Sequence, residues 1–157
     1  MRTAALTFAA CFLVAVAARS QGTVPAPFTH ATIEQTEQSL VTALESRNPG
    51  MQLSAAAVVR ELKATMPNRS FSSLVIPLMA VVKDEDAEKD ARIVAALALH
   101  ELHSARGDYA IKSMAKYSTN DRVAYICANL AFQRIAEDHP EVVAKVKNET
   151  RLIAATK

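Results

Sequence analysis

Residues Glu88–Leu102 read EKDARIVAALALHEL, and Asp121–Ile135 read DRVAYICANLAFQRI. With Ala91 set on Ala124, Ile93 meets Ile126, Val94 meets Cys127 and Ala95 meets Ala128. The same thirty-three-residue offset pairs Leu97 with Leu130, Ala98 with Ala131, Leu99 with Phe132 and Leu102 with Ile135. A fixed offset of this size is the signature of stacked helical repeats. Both segments are apolar over most of their circumference, as expected of helices flanked on two sides.

Working outward, Phe71, Leu74, Val75, Leu78 and Val82 follow the spacing of one buried helical face. Pro77 lies inside that helix, where it removes one backbone donor and is expected to bend it. Asp84-Glu85-Asp86 reads as a charged turn, and Gly107-Asp108 as a break before a shorter helix carrying Ile111, Met114 and Ala115. Ser118–Asp121 offers caps for the helix that follows. Upstream, Thr32 and Gln35 have capping-box spacing, and Ile33, Leu40, Val41 and Leu44 share a face. Asn48-Pro49-Gly50 ends that helix. Ser54 is read as the cap of the next, with Val58, Val59, Leu62 and Met66 as its stripe, and Ser70 as the opening of the third. Pro140 suits the first turn of a last helix with Val142, Val143, Val146 and Ile153 inward. About seven helices joined by short turns result, each antiparallel to its neighbour.

The start of the chain is different. Met1–Ser20 reads MRTAALTFAACFLVAVAARS: a basic residue, an apolar run Ala4–Ala18, then small residues. This is the pattern of a secretory signal peptide, with cleavage after Ala17, Ala18 or Ser20. Fifteen apolar residues are short for a membrane anchor, and the apolar run continues past Cys11, unlike a lipoprotein leader. Export therefore leads, with residues 1–20 as leader, 21–30 as an extended tether bearing Pro25 and Pro27, and 31–157 as the helical domain. The whole chain carries 18 Lys+Arg against 16 Asp+Glu. Removing Arg2 and Arg19 makes it neutral, which argues against nucleic acid and anionic membranes as partners. Cys127 would then be the sole cysteine, so no intrachain disulfide is expected.

From Phe71 to Ile135 the residues resemble HEAT repeats of the short bacterial kind. That pattern places a proline in a first helix, an acidic turn, then Asp-x-x-Val-Arg-x-Ala-Ala-x-x-Ala-Leu-Gly-x-Ile on a second. Ile76-Pro77-Leu78, Asp84–Asp86, and Glu88, Ala91, Arg92, Ala95, Ala98, Leu99 and Leu102 fit it, followed by Asp121, Ala128, Ala131, Phe132 and Ile135. His100 and Gln133 stand where Gly is usual, Tyr125 where Arg is, and Glu88 where Asp is. The resemblance implies an all-α fold of antiparallel helix pairs stacked as a short right-handed α-solenoid, and a surface offered to another macromolecule.

Side chains with chemical potential are few. His100 and His103 share a helical face but are three apart, whereas the helical zinc motif needs four. They read as polar residues closing an apolar helix. Cys127 lacks a basic neighbour in sequence and reads as a small buried hydrophobe. Asp84-Glu85-Asp86 with Glu88 lacks the alternation and glycine of a calcium loop. Neither a nucleophile elbow nor a phosphate-binding glycine loop is present. Asn68 and Asn148 open glycosylation sequons. Lys112, Lys116 and Tyr117, with Lys145, Lys147 and Arg151, form at most a weak basic face. No catalytic, cofactor or metal residue is assigned. The expected function is non-catalytic, a module binding another protein or itself outside the cytoplasm, with Arg92 and Asp121 bracing adjacent repeats. The alternatives are a small ligand-binding, metal-binding or enzymatic protein with a pocket near His100, His103 and Tyr125, and a self-associating envelope protein.

Overall fold

The computed structural model describes residues 30–141 and 143–145. The leader, residues 21–29 of the tether, Asn148 and the last-helix positions Val142, Val146, Lys147, Arg151 and Ile153 lie outside the described residues. Six helices run in order: α1 (His30–Glu45), α2 (Pro49–Thr65), α3 (Ser72–Lys83), α4 (Lys89–Glu101), α5 (Ala105–Tyr117) and α6 (Asp121–Asp138). After a break at His139 the chain is helical again at 140, 141 and 143–145. Among the described residues there is no strand.

The packing is that of a ladder. α1 lies on α2, α3 on α4 and α5 on α6; the odd helices then touch in the row α1–α3–α5 and the even ones in the row α2–α4–α6. Neither helix of the first pair meets either helix of the third. Each pair therefore buries its face only against its neighbours, the defining property of a stacked-repeat fold. Leu44, Val59, Phe71, Leu74, Leu78, Val82, Leu99, Ile111 and Val123 form one continuous core along it. The fold is all-α with stacked antiparallel helix pairs, as expected from the sequence.

Several helix boundaries differ from expectation, each for a local reason. Thr32 lies inside α1 and does not cap it; its carbonyl accepts the Thr36 hydroxyl at 2.8 Å. Asn48, not Ser54, caps α2: its Oδ1 accepts the backbone N–H groups of Gly50 (3.0 Å) and Met51 (3.2 Å). Asn-Pro thus starts α2 as well as ending α1, because proline at the first helical position is already set at a helical φ. Val58 is exposed; Ala55, Ala56 and Val59 form the buried stripe. α3 begins after Phe71, one residue beyond Ser70, and continues unbroken through Pro77. Gly107 does not precede α5 but sits buried in its first turn, where Ser104 caps it at 3.0 Å.

The largest correction concerns register. α4 starts from its cap Glu88 and α6 from its cap Asn120, thirty-two positions apart. Counted from these caps, Ala91, Ala95 and Ala98 correspond to Val123, Cys127 and Leu130, and all six are buried. The thirty-three-residue offset holds for the starts of α3 and α5, Ser72 and Ala105. It fails for the second helix of each pair because turn 84–88 is two residues longer than turn 118–120, while α5 has 13 residues and α3 has 12. One residue is ~100° of helix rotation. That rotation carries Phe132, paired in sequence with the buried Leu99, to 57% exposure and leaves Ala128 exposed; Tyr125 is 68% exposed. The apolar circumference of α6 is therefore not all buried.

Candidate interaction surface

Two buried arginines join the pairs. Arg92 is 2% exposed. Its Nε donates to the carbonyl of Val82 at 3.1 Å, and its terminal nitrogens donate to both carboxylate oxygens of Glu85 at 2.7 and 3.2 Å. It also donates to Ser118 Oγ at 3.1 Å in the following turn. Glu85 in turn accepts the backbone N–H of Thr119 at 3.3 Å and its hydroxyl. The Arg92 hydrogen bond, then that of Thr119, holds the Glu85 carboxyl down at about 2. Glu85, read in sequence as part of a solvated turn, is thus the acceptor that ties the second pair to the third. Arg92 braces neighbouring repeats, as expected. Asp121 does not share that role: it is exposed and its side chain makes no hydrogen bond or ion pair among the described residues.

Arg134 was not singled out in the sequence. It lies on the α6 stripe Val123, Cys127, Leu130, Arg134, so the available signal was a cation in line with a buried apolar face. Its guanidinium donates to Asp108 (3.3 Å), Glu137 (2.7 Å), the His100 carbonyl (2.5 Å) and the Nδ1 of His103. His103 adopts φ 52°, which turns the chain from α4 toward α5 and presents its ring to Arg134. His100 and His103 have ring centroids 6.3 Å apart. The His100 Nδ1 is buried without a partner, and burial, then the Arg134 charge, lowers its pKa from 6.5. Tyr125 does not join them: it precedes Arg134 by nine residues, about 13 Å along α6. No group of three His, Cys, Asp or Glu among the described residues is placed to hold a metal ion. Burial pushes the Cys127 thiol up to about 11, which makes it a poor nucleophile at neutral pH.

Grooves mark the surface of the described residues. A groove of about 610 Å³ is lined by Arg60, Lys63, Glu101 and His103 among others. A second, of about 710 Å³, lies between the first turn (Glu45, Arg47) and the second (Asp84, Asp86). Gln52 borders it, the fourth residue of α2 as Arg92 is the fourth of α4. Gln52 donates to the Leu44 carbonyl at 3.2 Å, the counterpart of Arg92 on Val82, but its side chain ends at its own turn, with Ser46 O at 2.8 Å. The third, of about 350 Å³ and nearly all apolar, is formed by α1 and α2 alone, from Leu40, Ala43, Met51, Ala55 and Val58 with Thr36, Ser39 and Ser54.

The even row explains that third groove. α4 is covered on both flanks: Arg92, Ala96 and Leu99 are buried on one, Ala91 and Ala98 on the other. On α2, Ala56 and Val59, which match Ala96 and Leu99, are buried, whereas Met51 and Val58, which match Ala91 and Ala98, stand exposed in the groove. On α6 the pattern is reversed. The matches of Arg92, Ala96 and Leu99 are Ala124, Ala128 and Ala131; none of the three is buried, and Ile135 beside them is 40% exposed. Tyr125 and Phe132 flank this strip. Among the described residues, α2 and α6 thus each expose part of a face that α4 conceals. No helix among the described residues is long and apolar enough to cross a membrane. In comparisons with known proteins, no family model, curated protein or solved structure matches this chain.

Proposed function

We propose that this protein is a non-catalytic, HEAT-like helical-repeat module that binds protein through the apolar end of its ladder. One observation carries the reading: Ala128 lies exposed at the position where Ala96 is fully buried in α4, with the exposed Phe132 and Ile135 on the same side of α6. An uncovered strip with aromatic edges is the composition of a protein-binding patch. The leader pattern of residues 1–20 supports a place outside the cytoplasm, and the neutral charge of the remainder supports a protein partner over nucleic acid. The test is affinity capture from the envelope fraction of the source cells, comparing the wild-type chain with Ala128→Glu. A partner held by the first and lost by the second supports the reading; equal capture by both, or capture of nothing, overturns it.

A second reading, a small-ligand carrier, is favoured by the groove that Arg60, Lys63, Glu101 and His103 line. Its charges are mixed, and the Arg60–Glu101 pair at 2.7 Å already satisfies two of them. Native mass spectrometry of protein from its own source would reveal a retained small molecule if that reading holds.

A further inference from the structure

We propose that the outer face of α5 binds an acidic, extended segment of another protein. This surface is carried by a different helix from the α6 strip and goes beyond the reading above. Its members are set by the helix itself. Gly107, Ala110, Ile111 and Met114 are buried and fix the inward side of α5. At ~100° per residue, Lys112, Lys116, Tyr109, Ser113, Arg106 and Tyr117 fall in an arc of about 140° on the opposite side. Arg106, Lys112 and Lys116 are exposed, and Tyr109 and Tyr117 are 68% and 66% exposed. The one acid of α5, Asp108, precedes Lys112 by four residues, a spacing at which such side chains pair. It lies off the arc and pairs instead with Arg134 at 3.3 Å.

Charge complementarity selects the occupant. Among the described residues, none of Arg106, Lys112 and Lys116 makes an ion pair, whereas Arg60, Arg69, Arg92 and Arg134 each hold a carboxylate. The neighbouring helix of the same row, α3, contains no acid, and Glu137 on α6 is taken by Arg134. The chain outside the described residues offers little counter-charge: residues 1–29 contain no Asp or Glu, and residues 146–157 hold Glu149 against Lys147, Arg151 and Lys157. Spacing favours a peptide. Lys112 and Lys116 are about 6 Å apart along the helix axis, close to the ~6–7 Å between alternate side chains of an extended chain. Arg106, about 9 Å before Lys112, takes a carboxylate further along. The Lys116 ammonium lies 5.0 Å from the Tyr117 ring centroid, and the two tyrosines add contact area with a hydroxyl donor each. Three cations over about 15 Å are few against a duplex carrying one charge per ~1.7 Å, so nucleic acid is the poorer fit.

The test titrates the purified protein into a fluorescein-labelled peptide of alternating Glu and Thr, read by fluorescence anisotropy, with a peptide of alternating Gln and Thr as the neutral control. Wild type is expected to bind the acidic peptide, more weakly as salt is raised, and to leave the neutral one free. Lys112→Glu is expected to weaken binding by roughly tenfold. Arg47→Glu makes the same charge change in the first helix pair, which does not touch α5, and is expected to leave binding unchanged. Tyr109→Ser is expected to weaken it at constant net charge. Lys112→Gln replaces Lys112→Glu if the melting curve of the latter shows a damaged fold. Wild type that leaves the acidic peptide free, equal losses in Lys112→Glu and Arg47→Glu, or a Tyr109→Ser chain that binds as wild type does overturns the proposal. So does tighter binding of a single-stranded oligonucleotide, or of vesicles rich in anionic lipid, than of the acidic peptide. None of these variants alters the α6 strip, so failure here leaves the protein-binding reading to its own test.

Discussion

Arg92 is worth more to this fold than its ion pair alone. It satisfies the otherwise uncapped Val82 carbonyl and reaches Glu85 and Ser118 in successive turns. Arg92→Met keeps the buried length and removes every donor, leaving the buried Val82 carbonyl unpaired at ~1–3 kcal/mol. Urea unfolding at neutral pH should show that loss without a change in slope. The pH response follows from Glu85, whose folded pKa of about 2 lies below the ordinary 4.5. Its contribution is present above 4.5 and is lost as pH falls from there toward 2. The wild type should lose this increment of stability on acidification through that window, and Arg92→Met should lose less. His100 acts in a higher window with the same sign. Its folded pKa is lowered, so below about 6.5 the unfolded chain takes up the proton first and stability falls with pH. His100→Phe should flatten the stability profile between neutrality and pH 5, and an unchanged slope would show that His100 is not the group responsible.

At the scale of the element, the strongest legible signals were spacing and turn chemistry. The α3 stripe, the Asn120 cap and the helical restart at Pro140 were all readable because each depends on a few adjacent residues. The orientation of α6 was not. It depends on the difference between turns 84–88 and 118–120, and self-similarity scored over apolar residues cannot separate an offset of thirty-three from thirty-two when alanines fill both registers. Phe132 was consequently paired with the buried Leu99, and the open face was missed. Gly107 is a second case. The sequence marked it as a breaker, yet it is there because a Cβ would stand 2.8 Å from Ser104 Oγ and 3.2 Å from Leu99 Cδ2. Gly107→Ala should lower stability by ~1–3 kcal/mol through overpacking at the α4–α5 crossing, where an exposed helical glycine replaced by alanine would raise it. A thermal melt decides between the two signs.

For the whole molecule, the ladder makes stability a matter of nearest neighbours. Among the six helices α1–α6, the second pair is buried between two others, while the first and third each touch one other pair. The two junctions are held differently: at the turns the second-to-third is pinned by Arg92, Glu85, Ser118 and Thr119, whereas the first-to-second has Gln52 and an open groove there and is tied instead by Arg60–Glu101 and by Glu37 with Arg69 and Ser73. In a one-dimensional stack, opening proceeds from an end. α1 and the first turns of α2 should therefore exchange backbone hydrogens by sub-global opening, ahead of α3, α4 and the facing half of α6. Gln52→Arg combined with Arg47→Glu rebuilds at the first junction the residues that hold the second, because Gln52 already points at the Leu44 carbonyl as Arg92 does at Val82. Asp84 borders the same groove. Native-state hydrogen exchange should show the protection of α1 rising toward that of α3 in the double variant, with little change in α5 and α6. Uniform gains along the chain would instead mean that the protein unfolds as one unit, and that the gap at Gln52 does not divide it.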